Sequence, residues 1–306
     1  MNKRQLGKTD LYLSEISLGC MSLGTDQAQA KSIIDRAIDS GVNYLDTADL
    51  YDYGKNEELI GEAIRGRRQD LIIGSKVGNR FTPGEEGWTW DPSKEHIKSS
   101  VKDSLKRLGT DYIDLYQLHG GTIDDPIDET IEAFEDLKSE GWIREYGISS
   151  IRPNVIKQFA EKSSIASVMM QYSALDRRPE EEILPLLHEY EISVLARGPL
   201  AKGILSDRGI EKARDKAGDG ILEYDADEVM SIARDWKKVS NTSKSAEAVA
   251  LQYVLHHPAV TTAVFGASSV EQLEQNLTFL DAAPLSDAEY NNIQSLTKDI
   301  TYQQHR

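Results

Sequence analysis

Asp46, Tyr51, Lys76 and His119 are of the types needed to move a proton. A free tyrosine titrates at about 10, too high for efficient acid–base exchange near neutrality. A nearby ammonium favours the phenolate and lowers that value. An aspartate paired with the lysine would hold the ammonium in place, and a histidine could orient a substrate carbonyl and donate a hydrogen bond to its oxygen. Singly, each has a plain structural role: Asp46 can cap a turn, Lys76 can be solvated, and His119 can sit satisfied at a rim. Their positions relative to the surrounding apolar runs give the set its meaning.

Asp46 ends the run from Val42 to Leu45, with Tyr51 in the loop that follows. Lys76 ends the run from Leu71 to Gly74 and Ser75. His119 ends Ile113 to Leu118. These are three of eight short apolar runs; the others are Ile16–Gly19, Glu145–Ile148, Val168–Met170, Ile192–Leu195 and Ala263–Phe265. Amphipathic helical patterns lie between them, such as Ala30 to Ile38, with apolar residues at 30, 33, 34, 37 and 38. Gly41, Gly66, Gly109 and Gly141 each follow such a pattern, as expected where a helix closes. Eight strand–helix units predict a closed parallel (β/α)8 barrel, with an open doubly wound sheet as the alternative that periodicity does not exclude. In a barrel, catalytic groups gather at the C-terminal ends of the strands, so three consecutive strands would deliver the four residues to one mouth.

Two segments lie outside the eight units. Residues 3–13, around Gly7-Lys8-Thr9-Asp10, read as a hairpin ahead of the barrel that could plug its N-terminal mouth. Residues 206–244, after the seventh strand, are charged and poor in apolar residues until Val229, and read as a long functional loop or flap.

The chain has 306 residues and a formal net charge of −16, which argues against a nucleic-acid or anionic-membrane partner. With a single cysteine, Cys20, it can form neither an internal disulfide framework nor a Cys-His metal cluster. No secretory pattern opens the sequence and no uninterrupted apolar run reaches membrane-spanning length, so a cytoplasmic location is the default expectation. Residues 1–306 are expected to form one barrel domain.

The segments "LDTADLYDYG" (45–54), "IGSK" (73–76), "LYQLH" (115–119), "GISS" (147–150), "QYSALDR" (171–177), "GPLAKGIL" (198–205) and "GASSVEQLEQN" (266–276) resemble, in order, the landmarks of the aldo-keto reductases. The likeness runs from about residue 3 to residue 280. It implies a (β/α)8 barrel, a nicotinamide cofactor and Asp46, Tyr51, Lys76 and His119 as a catalytic tetrad that reduces aldehydes or ketones to alcohols. No Gly-x-Gly-x-x-Gly is present for a Rossmann site. Gly198 to Gly203 has the glycine spacing of a phosphate loop but continues into Ile204 rather than Lys-Ser.

The resemblance places Ser149 and Gln171 on the nicotinamide carboxamide and Gly19, Cys20 and Met21 beside the ring. Barrels often bind phosphate with the loops after strands seven and eight, and here the first of those loops carries Leu200, Lys202 and Gly203. By the same resemblance, Gly266, Ser268, Gln272, Gln275 and Asn276 would surround the adenosine end. Ser269 with Gln272 also fits a helix capping box. Arg197 stands where many members carry an aromatic ring stacked on the nicotinamide; a rim salt bridge is its alternative role. Trp88 and Trp90 could wall the substrate pocket or simply pack a long loop. The implied cofactor is NADPH, with NADH as the second choice, and the implied partner is a small carbonyl compound, with no obligate protein partner evident. Two rivals share the barrel: a non-catalytic nicotinamide-binding regulatory subunit, and a lyase using Lys76 as a Schiff-base nucleophile.

Overall fold

The computed structural model describes residues 1–82, 84–216, 218, 220–240 and 244–306. A hairpin opens the chain: β1 (Lys3–Gln5) pairs antiparallel with β2 (Tyr12–Ser14). Then come β3 (Ile16–Gly19), β4 (Tyr44–Asp46), β5 (Ile72–Val77), the short antiparallel ribbon of β6 (Asn79–Arg80) and β7 (Thr89–Trp90), and β8 (Ile113–Leu118). The sheet strands continue with β9 (Ile143–Ser149), β10 (Ser167–Gln171), β11 (Ser193–Arg197) and β12 (Val260–Gly266). Strands β3, β4, β5, β8, β9, β10, β11 and β12 pair in parallel and in sequence order, and β12 closes on β3. This is the (β/α)8 barrel, and all eight apolar runs became its strands.

The hairpin plugs the N-terminal end. Leu6, Leu11 and Leu13 are buried and pack with Ala166, just ahead of β10, and with Tyr44, Ile72, Leu115, Met169, Leu195 and Val264, which fill the barrel from its strands. Arg4 fastens the hairpin by donating to the carbonyls of Leu255 and Val260 and pairing with Glu15. The outer core forms where the apolar stripe of each helix meets the sheet; helix Gln27–Asp39, for example, buries Ala30, Ile33, Ile34 and Ala37. Helix Lys94–Leu108 starts on a Ser93 cap and closes at Gly109, whose φ of 63° lies in the left-handed region.

The connection after the seventh barrel strand is long, as expected, but it is not irregular throughout. Helices Gly209–Lys216 and Ala226–Val239 occupy much of it. The second starts with a complete capping box between Asp225 and Glu228 and buries Val229, Ile232, Ala233 and Trp236. Its apolar residues recur at helical spacing, a signal that the segment's high average charge masks. Of this stretch, Ala217, Asp219 and residues 241–243 lie outside the described residues, as does Pro83 of the third-strand loop. Among the described residues no helix is long and apolar enough to cross a membrane.

Candidate active site

Strands β4, β5 and β8 end side by side, and alternation along each strand decides which residues face the barrel interior. Asp46 is flush with Gly74 in the β4–β5 ladder, and Lys76 is flush with Gln117 in the β5–β8 ladder. Two residues further back on β4, Tyr44 faces the same way as Asp46. On β8, Gln117 faces the same way as His119. A side chain at Gly74 would collide with Tyr44, since a Cβ there would lie 2.2 Å from the phenol oxygen. The missing side chain is the space the ring occupies.

Lys76 is the hub. Its Nζ donates to Asp46 Oδ2 at 2.6 Å and to the Thr47 carbonyl at 2.7 Å, and lies 3.3 Å from the Tyr51 hydroxyl. Lys76 is fully buried and Asp46 nearly so. Burial pulls the ammonium down, but the Asp46 charge, Tyr51 and their hydrogen bonds outweigh it, and the net shift is upward. Lys76 therefore stays charged. That is the wrong state for a Schiff-base nucleophile, which must attack as the neutral amine. Asp46 Oδ1 is held from behind by the Tyr44 hydroxyl at 3.0 Å and Gln117 Nε2 at 3.4 Å. Burial first, then the charge of Asp46, drives the Tyr44 phenol well above its usual range, so it remains a donor.

His119 meets Tyr51 edge-on, with ring centroids 5.7 Å apart. Burial, followed by the charges of Lys76 and Arg197, lowers its imidazole to about 3. His119 is thus neutral near pH 7, and its buried Nδ1 has no partner among the described residues. All four predicted catalytic residues are gathered at one mouth. Tyr44, Thr47, Asn56 and Gln117 complete the arrangement and were not singled out from the sequence. Thr47 Oγ1 donates to Asn56 Oδ1 at 2.7 Å, and Asn56 Nδ2 donates to the Cys20 carbonyl at 2.9 Å. The signal for Tyr44 and Gln117 was present: Tyr44 stands two residues before Asp46 on β4, and Gln117 two residues before His119, which directly follows β8.

The predicted cofactor residues fall around the same mouth. Gly19 and the buried Cys20 stand at the end of β3, with Met21 exposed beyond them. Ser149 ends β9 and Gln171 ends β10. Arg197 ends β11 and is exposed, and its Nη1 donates to Gln171 Oε1 at 3.2 Å. No carboxylate pairs with it among the described residues, so the rim salt bridge is not formed. Leu200, Lys202 and Gly203 lie in the turn after β11, where Ala201 and Lys202 adopt φ of 45° and 59°. Gly266 ends β12, and Ser268, Gln272, Gln275 and Asn276 follow on the loop and helix Val270–Leu277. Ser269 caps that helix through Gln272 N–H, while Gln272 Oε1 accepts from Ser268 N–H at 2.8 Å and the Ser268 hydroxyl at 2.9 Å. The buried Asn276 Oδ1 lacks a partner among the described residues. A ring of strand ends, a capped helix N-terminus and unpartnered polar atoms suits a nicotinamide dinucleotide.

The two tryptophans separate. Trp90 is half-buried, its Nε1 donating to Asp125 Oδ1 at 2.9 Å, and its ring lies so close to Gly120 that a Cβ there would be 3.3 Å away. It stands next to the His119 loop. Trp88 is 54 % exposed in the loop just before β7.

Residues 15–298 match the model of the Aldo/keto reductase family. The chain belongs to the aldo/keto reductase family. It is an NAD(P)H-dependent oxidoreductase. Its sequence is 55 % identical over 307 residues to the uncharacterized oxidoreductase YqkF of Bacillus subtilis, with both chains covered completely. It is 29 % identical to the NADH-specific methylglyoxal reductase of Escherichia coli, covering 94 % of this chain and 96 % of that one. Among solved structures it is similar to the aldo-keto reductase AKR11C1 of Bacillus halodurans. The holo form aligns over 100 % of this chain and 99 % of that one, with TM-score 0.93 and 56 % identity. The apo form aligns over the same shares, with TM-score 0.84 and 51 % identity.

Proposed function

We propose that the reductase converts aldehydes or ketones to alcohols with NADPH, and that Tyr51 is the proton donor. The observation that carries this is the placement of Lys76 Nζ between Asp46 and the Tyr51 hydroxyl, at 2.6 and 3.3 Å. The cofactor, when bound, supplies a hydride to the carbonyl carbon. The alkoxide oxygen that results needs one proton. Lys76 stays protonated to stabilise the phenolate left when Tyr51 gives that proton up, and Asp46 holds Lys76. A neutral His119 can donate one N–H to the carbonyl oxygen, which orients it without a full charge beside Lys76. Its lowered basicity also excludes an imidazolium as the proton source near pH 7.

Gln171 and Ser149, at adjacent strand ends, suit the two polar groups of a carboxamide, and Gly266 to Asn276 suit the adenosine end. Trp90 forms part of the substrate wall. The experiment is Tyr51→Phe. The variant keeps NADPH affinity and loses about 10²–10⁴-fold in the rate of 4-nitrobenzaldehyde reduction, the usual worth of a general acid. A wild-type rate would remove Tyr51 from the mechanism.

NADH is the second reading, favoured by two observations. Ser268, Gln272 and Gln275 put no cation at the predicted adenosine site, and the Escherichia coli relative is named NADH-specific. Dissociation constants for the two cofactors decide between them.

A further inference from the structure

A second enclosed polar layer lies behind Lys76 and Tyr51. Its centre is Glu57, with no exposed surface. Glu57 Oε1 accepts from Ser75 Oγ at 2.5 Å, and Oε2 accepts from Arg107 Nε at 2.7 Å. Ser75 is the neighbour of Lys76 on β5. Glu57 lies in helix Lys55–Ala63, which begins where the turn carrying Tyr51 ends. Arg107 arrives from a different unit, helix Lys94–Leu108, and its stem runs against Gly54: a Cβ on Gly54 would lie 2.7 Å from Arg107 Cδ. The pair thus touches both segments that supply the reacting groups.

The turn itself needs holding. Asp52 and Tyr53, directly after Tyr51, have φ of 48° and 52°. Two consecutive non-glycine residues in the left-handed region cost roughly 1–3 kcal/mol each, and such strain persists only where surrounding contacts over-determine it. Asp49 adds a second tie, its N–H donating to the Lys76 carbonyl at 3.2 Å. Its side chain is buried in the same layer, where burial and the Glu57 charge keep the carboxyl well above the usual carboxylate range. The enclosed Glu57 carboxylate thus pairs with Arg107, which reaches it from the solvent side, beside the buried Asp49 carboxyl. A buried ion pair adds little stability over apolar packing; what this one supplies is a fixed link from helix Lys94–Leu108 to the two catalytic segments.

We propose that Arg107 is a positioning residue: through Glu57 and Gly54 it clamps the left-handed turn that holds the Tyr51 hydroxyl beside Lys76 Nζ. This rests on Tyr51 being the proton donor. Loosening the clamp moves the phenol relative to Lys76 and leaves in place the predicted cofactor residues at and beyond the ends of β9 to β12, which the clamp does not touch.

The test compares Arg107→Met, Arg107→Lys, Glu57→Gln and Tyr51→Phe with wild type. It uses NADPH and 4-nitrobenzaldehyde, and kcat is normalised to sites counted by cofactor titration. For Arg107→Met and Glu57→Gln, kcat per site falls about 10–100-fold, the scale of an ångström-size misplacement. KM and the NADPH dissociation constant stay within about 2-fold, and the solvent deuterium isotope effect on kcat rises because proton transfer becomes slower. Arg107→Lys, which keeps a cation for Glu57, recovers most of kcat. If Arg107→Met does not fold, Glu57→Gln carries the test, since it preserves shape and leaves an arginine that already has access to solvent. A lower melting temperature with unchanged kcat per site and unchanged isotope effect overturns the clamp. A fast Tyr51→Phe would overturn the proton-donor reading and the clamp with it. A slow Tyr51→Phe beside fully active Arg107→Met and Glu57→Gln overturns the clamp alone.

Discussion

The Tyr44 hydroxyl donates to Asp46 Oδ1 at 3.0 Å, on the side of the carboxylate opposite its contact with Lys76. The tetrad therefore has a backing donor inside the barrel, and Gly74 leaves room for it. Tyr44→Phe should lower stability by about 1.5–3 kcal/mol, the usual worth of a hydrogen bond to a charged group. Gly74→Ala forces the ring aside and should cost about 1–3 kcal/mol by overpacking, together with a loss of kcat as Asp46 shifts. Combining Gly74→Ala with a small residue at position 44 should recover part of the stability. Chemical denaturation of the four proteins measures this.

Removing Lys76 exposes the logic of the buried pair. Lys76→Met leaves Asp46 charged and enclosed, and should destabilise the protein by roughly 3–5 kcal/mol. Adding Asp46→Asn removes the stranded charge, so the double variant should be more stable than Lys76→Met alone while staying inactive. A double-mutant cycle that adds without coupling would contradict the contact.

His119 carries an acid-sensitive share of stability. Its folded imidazole titrates at about 3 against the usual 6.5. The unfolded chain therefore binds a proton that the folded chain refuses. This contribution is complete above 6.5 and is lost as pH falls toward 3, with a slope approaching about 1.4 kcal/mol per pH unit. Between pH 7 and pH 5, wild type should lose about 2 kcal/mol more than His119→Gln. Parallel urea titrations at the two pH values give the difference.

Arg197 lies at the end of β11 with its guanidinium on Gln171 and its charge felt by His119. A fixed positive charge near the nicotinamide opposes the oxidised ring, which is itself positive, more than the neutral reduced ring. At about 4 Å in a water-like medium the repulsion is about 1 kcal/mol. Arg197→Tyr should therefore tighten NADP⁺ relative to NADPH by about 5-fold. An unchanged ratio of the two dissociation constants would place Arg197 away from the ring.

The connection after β11 is tied to the predicted cofactor turn: Lys216 Nζ donates to the Lys202 carbonyl at 3.0 Å. NADPH binding should slow amide exchange in residues 200–216, consistent with a flap that closes over the cofactor. Equal exchange with and without NADPH would show that the segment does not cover it.

Much of this reductase is legible in local pattern. The eight strands and their order follow from apolar runs and helical spacing, because both are properties of a few neighbouring residues. The tetrad is legible because Asp46, Lys76 and His119 each stand where a strand must stop, and Tyr51 follows one of them. Other features depend on residues far apart in the chain meeting once the barrel closes. Gly74 and Tyr44 fit together across two strands, and Arg107 reaches Glu57 from 50 positions away. That His119 is neutral follows from its burial beside Lys76 and Arg197, which no spacing announces. Averaged composition also hid the helix Ala226–Val239, since one buried stripe is enough to fold a segment whose other faces are charged. The sequence by itself determined which chemical groups stand at which strand ends. The tertiary structure alone decided which of them are buried, paired and charged, because desolvation and ion pairing depend on what the closed barrel brings within a few ångströms.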